Sequence, residues 1–310
     1  MVSVNMPVAN AGRDLQGGLQ ITHNTASDQS IMSFFARGDV GKHREEIYAR
    51  RMAREASMGP GNLYNKAMAL YTEGKYWDAM FIFGRIANEY PDFFKNDFVH
   101  LYLGLCEEGL DMRGVATVGL ASTAATFNRS VVAPMADLGL MRIAYRNGEH
   151  SKVFELLSTI SGSGASDSLK YCAYYVAGQS YIATNDPAKA VQYLSILPVN
   201  HPDYIFAHHS LGVAYAMAGQ MEKAKEAFDI TIQTLPAPNV VSTMDLAHKE
   251  IIYRTYMMLG LIYYQNIGTE EHAASKAVTA LRMVPKESYY YEDALLGIAW
   301  TALRVNQWND

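Results

Sequence analysis

Cysteine is scarce in this chain, and several familiar catalytic motifs are missing from it. The 310 residues contain only Cys106 and Cys172, which excludes a disulfide framework and a zinc site built from Cys-x-x-Cys pairs. Both cysteines fall in predicted helices far apart in sequence, which favours buried thiols. No P-loop occurs, and residues 161–166 lack the Gly-x-Ser-x-Gly spacing of a nucleophile elbow. We interpret that segment as a turn between two structural units.

Long apolar runs and an excess of positive charge are also missing. No stretch of about 18 apolar residues occurs, so no membrane span is predicted. The 26 Lys and Arg residues are outnumbered by 31 Asp and Glu residues, and a net charge of −5 does not favour nucleic acid. The first residues lack the charged start and apolar core of a complete signal peptide, although Ala9-Asn10-Ala11 resembles a cleavage site.

Three histidines, His201, His208 and His209, are close enough in sequence to suggest a metal site. The adjacent His208 and His209 project about 100° apart on a helix, so they do not share one ion easily. His201-Pro202-Asp203 has the letters of the co-chaperone J-domain signature, but Pro202 fits a repeated helix-ending proline better. We therefore predict no metal, no cofactor and no catalytic residue.

The main positive feature is a repeated skeleton, which is clearest between residues 205 and 236. It has a Leu-Gly pair, a Tyr, a turn glycine, a small residue, an aromatic residue and a final proline. This order resembles the tetratricopeptide repeat, a pair of antiparallel helices of 34 residues. The landmarks are Leu211, Gly212, Tyr215, Gly219, Ala224, Phe228 and Pro236.

The other copies follow from the same landmarks and give repeats that start near 60, 97, 134, 171, 205, 253 and 292. Glycines recur inside the first helices at Gly178, Gly212 and Gly260, although each costs about 1 kcal/mol relative to alanine. Because this cost recurs at the same position of each repeat, we infer that two helices approach each other closely there. The small partners on the second helices are Ala79, Ala190, Ala224 and Ala273, and the helix-ending prolines are Pro91, Pro202, Pro236 and Pro285.

The resemblance implies an all-α fold, a right-handed α-solenoid of about six tetratricopeptide-like helix pairs plus a terminal unpaired helix. Each pair cannot bury its apolar faces alone, so neighbouring pairs stack. We expect an irregular or flexible leader over 1–40 and a solenoid over 41–310, with a capping helix at 41–58. The predicted pairs span 62–90, 98–126, 134–160, 168–198, 204–235 and 243–284, with a lone helix at 290–304.

Two details refine this prediction. The first helix of the 243–284 pair is expected to be unusually long, because Ser242 with Asp245 can start it early, and to run to about Gln265. Residues 306–310 match the segment that starts at Gly74, and they stop one residue before the small residue of the next second helix. This predicts that the native chain continues with further repeats beyond Asp310.

In a solenoid of this family the first helix of each pair lines a concave groove. The corresponding positions form a stripe rich in Met and Tyr, which suits adaptable contact with a peptide or helix. The Lys, Asn and Arg pattern that binds acidic chaperone tails is absent. The predicted groove residues are Tyr64, Met68, Tyr71, Arg142, Tyr145, Tyr175, Gln179, His209, Val213, Met217, Met257, Leu261 and Tyr264.

A second surface and a narrower resemblance come from the first part of the chain. A basic run lies beside two glutamates in the predicted capping helix, at Arg44, Arg50, Arg51 and Arg54. We interpret it as a solvated helix face or, alternatively, as a surface that docks an acidic partner.

The first repeat, with its Asn-Glu-Tyr-Pro-Asp turn at 88–92, is similar to bacterial envelope proteins of the outer-membrane assembly lipoprotein and Tol–Pal coordinator type. That similarity implies a periplasmic location, with the cytoplasm as the alternative. The chain departs from the lipoprotein pattern in one respect, because no lipobox cysteine is present.

These patterns lead to one main functional hypothesis and one rival. The first is a non-enzymatic scaffold or adaptor that binds other proteins or peptides in a bacterial envelope assembly. The rival is a docking or regulatory arm of a longer protein whose active domain lies beyond residue 310. Further repeats in the full reading frame would favour the first, and a compact motif-bearing domain the second. An enzyme within this segment is disfavoured, because no nucleophile, base and orienting group occur as a set.

Overall fold

The computed structural model describes residues 59–233 and 245–306. Helices hold 75% of these described residues, and no strand is found among them. The all-α class predicted from the sequence is confirmed. The helices are α1 Pro60–Thr72, α2 Tyr76–Glu89, α3 Asn96–Gly109, α4 Arg113–Thr126, α5 Val132–Arg146, α6 His150–Gly162, α7 Asp167–Ala183, α8 Pro187–Leu194, α9 Tyr204–Met217, α10 Met221–Gln233, α11 Leu246–Gln265, α12 Ala273–Leu281 and α13 Tyr291–Arg304.

Some of the predicted features fall outside the described residues. These are the leader at 1–40, the capping helix at 41–58 with its basic run, Pro236, and the last residues from 307 to 310. The predicted long helix lies within the described residues and is confirmed. It is α11, which has 20 residues and ends at Gln265. The Asp245 side chain caps its start by accepting a hydrogen bond from the backbone N–H of His248 at 3.0 Å.

The turns between paired helices share one backbone feature. Gly74, Gly148 and Gly219 are left-handed, with φ of +73°, +76° and +73°, and Asp111 and Asn185 take the same conformation at 58° and 60°. These five residues recur at intervals of 37, 37, 37 and 34 residues, the same intervals that separate the predicted repeat starts from 60 to 205. Glycine adopts positive φ freely and Asn and Asp tolerate it, so these residue types suit the position.

The chain divides after Arg146 into two compact units. The first contains α1 to α5, in which each helix packs on the next in chain order. Leu63 of α1 meets Ala79 and Phe83 of α2 in a core where all three side chains are fully buried. The Phe83 ring stacks on Tyr102 of α3 with 5.7 Å between ring centroids, so aromatic packing continues from one pair to the next.

The second unit contains α6 to α13, and here too each helix packs on its successor. The first helices of successive pairs, α7, α9, α11 and α13, also contact one another in that order. Short turns between contacting helices make neighbours antiparallel, which is the stacking expected of helical repeats. The small residues predicted on the second helices, Ala190, Ala224 and Ala273, are buried, so their predicted role in packing is confirmed.

The repeated helix glycines mark the points of closest approach between paired helices. A Cβ atom added to Gly178 would lie 2.5 Å from Cγ of Leu194, and one added to Gly260 would lie 2.5 Å from Cγ of Leu281. At Gly212 the same atom would collide with the ring of Phe228. No side chain larger than hydrogen fits at these positions without moving the partner, so the predicted close approach is confirmed.

Replacing Gly212 with alanine is expected to destabilise the protein by about 1–3 kcal/mol, because the fully buried Phe228 ring has little room to move. Gly84→Ala is the matched control, since Gly84 is also within a helix and nothing lies within 4 Å of an added Cβ. That change should stabilise by up to about 1 kcal/mol through helix propensity. Denaturant unfolding measures both changes. Equal effects of the two substitutions would show that the close contact at Gly212 is wrong.

Candidate functional site

In the first unit the predicted groove residues lie on α1 and α5. Tyr64, Met68 and Tyr71 share one face of α1, where Tyr64 is buried and the other two are partly buried. The centroid of the Tyr64 ring lies 6.0 Å from that of Phe83 and 5.9 Å from that of Phe93. The Tyr64 ring therefore fills the core of the unit, whereas Met68 and Tyr71 keep part of their surface open.

Tyr71 connects α1 to the other helices of the first unit. Its ring centroid lies 5.0 Å from that of Tyr102 on α3 and 5.4 Å from that of Tyr76 on α2. Burial raises the pKa of Tyr71 to about 12, and the positive charge of Arg142 opposes that rise. The fold thus brings the predicted residues Tyr71 and Arg142 near each other. The Tyr71 phenol keeps its proton at neutral pH and remains a hydrogen-bond donor.

Arg142 is held in an ion-pair network between α3 and α5. Its guanidinium donates to both carboxylate oxygens of the buried Glu108, at 2.9 Å and 2.6 Å. Arg146 donates to the same carboxylate at 3.1 Å. A bidentate pair of this kind is rigid and specific in geometry. Arg142 therefore joins two first helices, and Tyr145 lies half-buried one turn further along α5.

In the second unit polar groove residues also join successive first helices. The side-chain amide of Gln179 on α7 donates to Oγ of Ser210 on α9 at 2.5 Å. His209 of α9 is hydrogen-bonded through Nδ1 to Oγ1 of Thr255 on α11 at 2.8 Å. Gln179 and His209 are both buried, as is Val213. These three residues lie in the layer between first helices and present little surface to a partner.

The hydrogen bonds of His209 determine its protonation. The Thr255 hydroxyl donates to the backbone carbonyl of Ile251 at 2.6 Å, so it accepts from His209, and Nδ1 of the ring carries the proton. Burial holds the pKa of His209 well below its ordinary value, and the charge of Arg254 acts in the same direction. The buried Nε2 atom has no hydrogen-bond partner. The ring is therefore neutral and acts as a donor.

The remaining predicted residues of the second unit keep accessible surface. Met217, at the end of α9, is 42% exposed. The guanidinium of Arg304 on α13 lies 5.0 Å from the ring centroid of Tyr264 and donates to the Tyr264 carbonyl at 2.8 Å, so that tyrosine is held in place while part of its surface stays open. The other partly exposed positions are Tyr175, Met257 and Leu261.

A charged cleft lies elsewhere in the second unit, between α10 and the connection from α11 to α12. Glu270 is its centre and accepts hydrogen bonds from Lys276 at 2.9 Å and from Lys225 at 3.0 Å. The hydrogen bond from Lys276 is the largest cause that lowers the pKa of Glu270 to about 2. Because these charges are paired with one another, we interpret the cleft as a structural ion-pair network.

The structure also assembles a cluster that the sequence analysis missed. Ligand atoms of Cys172, His201 and Asp203 lie within 4.8 Å of one another. Cys172 is only partly buried, so the prediction of a buried thiol is wrong for it, whereas Cys106 is fully buried as predicted. Burial raises the pKa of the Cys106 thiol to about 12, which makes it a poor nucleophile. The sequence signal that could have found the cluster is the repeat phase. It places Cys172 near the start of a repeat and His201 and Asp203 in the turn that ends the same repeat.

Comparison with known proteins supports a helical-repeat fold. Residues 173–204, which cover most of α7, all of α8 and the start of α9, match the tetratricopeptide repeat family. A solved structure of PilF from Pseudomonas aeruginosa is similar at 11% identity, with a TM-score of 0.57 over 76% of this chain and 96% of that one. At that identity the similarity shows the fold alone.

A tetratricopeptide repeat protein from Parabacteroides merdae is also similar, at 15% identity and a TM-score of 0.47, over 78% of this chain and 98% of that chain. The curated proteins contain no significant match to the sequence. Within the described ranges, no helix combines the length and apolar character needed to cross a bilayer.

Thr255→Val is expected to destabilise the protein by about 1–3 kcal/mol, because it leaves the buried N–H of His209 without an acceptor. Thr231→Val is the matched control, since Thr231 is equally buried and its hydroxyl donates to the Ala227 carbonyl of its own helix. The control should change stability by much less. Chemical denaturation separates the two. If both variants lose the same stability, the contact between His209 and Thr255 contributes nothing.

Acid should destabilise the native chain more than a His209→Gln variant. The folded pKa of His209 lies below the ordinary 6.5, so under more acidic conditions the unfolded chain binds a proton that the folded chain does not. Stability is therefore lost as pH falls below about 6.5, by up to roughly 1.4 kcal/mol per pH unit from this residue. Denaturation at about pH 7 and pH 5 measures it. The other histidines are common to both proteins, and parallel losses would refute the role of His209.

Proposed function

We propose that this chain is a non-enzymatic scaffold or adaptor that binds other proteins or peptides within a bacterial multiprotein assembly in the cell envelope. The observation that carries the proposal is the set of accessible Met and Tyr side chains on the first helices of the second unit. Met217 is 42% exposed and Tyr264 is partly exposed, and Met257 and Leu261 on α11 are also partly exposed. Side chains of this kind adapt to varied apolar partners.

The proposed binding surface is narrower than the stripe predicted from the sequence. Gln179, His209 and Val213 are buried between first helices, and Arg142 is committed to Glu108. Binding energy at protein interfaces is concentrated in a few aromatic and apolar anchors, so a small accessible set is sufficient. We therefore place the anchors of the second unit at Met217 and Tyr264.

The periplasm is the proposed compartment, with the cytoplasm as the alternative. The support is the similarity of the first repeat, through residues 88–92, to envelope repeat proteins, together with the cleavage-like Ala9-Asn10-Ala11. Fractionation of cells that express the native gene tests the compartment. Release of the protein by osmotic shock is the expected result, and retention with cytoplasmic markers would favour the alternative.

Exchange of Met217 and Tyr264 for aspartate should weaken capture of the native partner by about tenfold or more, because each loses an apolar anchor. The partner is first identified by affinity capture from native cells and mass spectrometry, and its affinity is then measured for each purified variant. Val199→Asp is the control, because Val199 is 72% exposed and lies in the connection from α8 to α9. It should bind like the native chain.

The outcomes of this experiment separate the rival surfaces. Unchanged helicity by circular dichroism shows that the aspartate variants still fold. If Met217→Asp and Tyr264→Asp leave affinity untouched while reversal of Arg44, Arg50 and Arg51 abolishes it, the partner binds the basic run instead. A catalytic domain encoded after Asp310 in the full reading frame would favour the docking-arm alternative.

A further inference from the structure

The cluster of Cys172, His201 and Asp203 brings together three side chains of the types that bind transition metals. Cys172 lies on the second turn of α7, whereas His201 and Asp203 lie in the connection from α8 to α9. Sγ of Cys172 lies 3.7 Å from Nε2 of His201, and Nδ1 of the same ring lies 3.8 Å from Oδ2 of Asp203. The cluster thus joins the beginning and the end of a single repeat.

The imidazole is fixed in place before any metal binds. His201 is buried, and its backbone N–H donates to the Pro198 carbonyl at 2.9 Å. Its Nδ1 atom accepts from the backbone N–H of Asp203 at 3.2 Å, and its ring packs edge-on against Tyr171 with 5.8 Å between centroids. These contacts hold Nε2 toward the sulfur, because Nδ1 is occupied on the other side of the ring.

We propose that Cys172, His201 and Asp203 bind a zinc ion. Zinc bonds of about 2.3 Å to sulfur and about 2.0 Å to nitrogen place the two atoms about 3.5 Å apart in a tetrahedron, close to the 3.7 Å between Sγ and Nε2 seen here. Thiolate, imidazole and carboxylate together suit zinc better than calcium or magnesium, which prefer oxygen ligands alone. Cys172 and Asp203 are partly exposed, which gives the ion a path from solvent and leaves its fourth position to water.

Binding exchanges protons in a defined way. In the metal-free chain the ring proton lies on Nε2, since Nδ1 is an acceptor, and it points toward the sulfur. On binding through Nε2, the Cys172 thiol releases its proton to solvent and the ring proton moves to Nδ1. Nδ1 then no longer accepts from the backbone N–H of Asp203, so that hydrogen bond is given up when the ion binds. The ion then links the start of α7 to the turn before α9. This site is independent of the proposed binding surface around Met217 and Tyr264.

The purified full chain is stripped with a chelator and titrated with zinc by calorimetry and with cobalt by absorbance. We expect one ion per chain, a sulfur-to-cobalt charge-transfer band, and a rise in melting temperature with zinc that the chelator reverses. Cys172→Ser should abolish the band. His201→Gln and Asp203→Asn should weaken zinc binding by at least about tenfold.

Cys106→Ala is the matched control, because it removes the other cysteine thiol, which lies on α3 in the first unit. It should keep the charge-transfer band and the zinc stoichiometry. Circular dichroism of each metal-free variant identifies any that fail to fold, and Asp203→Asn keeps the backbone N–H that holds His201. Zinc binding by the native chain no stronger than by Cys172→Ser, or a cobalt band lost in Cys106→Ala instead, would overturn the proposed site.

Discussion

The close approach of paired helices at a helix glycine is the constraint on which the rest of this structure depends. In four pairs a large side chain of the second helix lies directly over a glycine of the first. The pairs are Gly104 with Leu120, Gly178 with Leu194, Gly212 with Phe228, and Gly260 with Leu281. Each of these large side chains is almost fully buried, so it cannot rotate away. The contact fixes how far each first helix is rotated, and therefore which of its residues face the next pair.

Once that rotation is fixed, one side of each first helix faces the neighbouring pair. Polar side chains on that side are buried and need hydrogen-bond partners within the protein. Buried polar groups cost free energy unless they are hydrogen-bonded. The chain places complementary pairs there, Gln179 with Ser210 and His209 with Thr255 in the second unit, and Glu108 with Arg142 in the first. Such pairs contribute specificity as well as stability, because a shifted neighbour would leave them unsatisfied. We interpret them as features that set which first helices meet and in what alignment.

The helices were predictable from the sequence because their signals are local and repeated. Glycine and proline positions mark each turn, and the left-handed residues Gly74, Asp111, Gly148 and Asn185 recur at the predicted period. The groove residues were less predictable, because the repeat pattern does not show how much of each first helix is buried by its neighbouring helices. His209 is polar and was assigned to an open groove, yet α9 is packed against α7 as well as α10 and α11, and the ring is only 2% exposed.

The cluster at Cys172 was missed for a related reason. Cys172 and His201 are 29 residues apart and lie at positions that the repeat pattern leaves free to vary. Sequence spacing alone does not show that the first helix of a repeat meets the turn that ends the same repeat. The repeat phase does contain that information, since Cys172 stands near the start of the unit and Pro202 at its end. Positions of this kind are where a repeat fold can acquire new chemistry, because the shared helix packing brings them together.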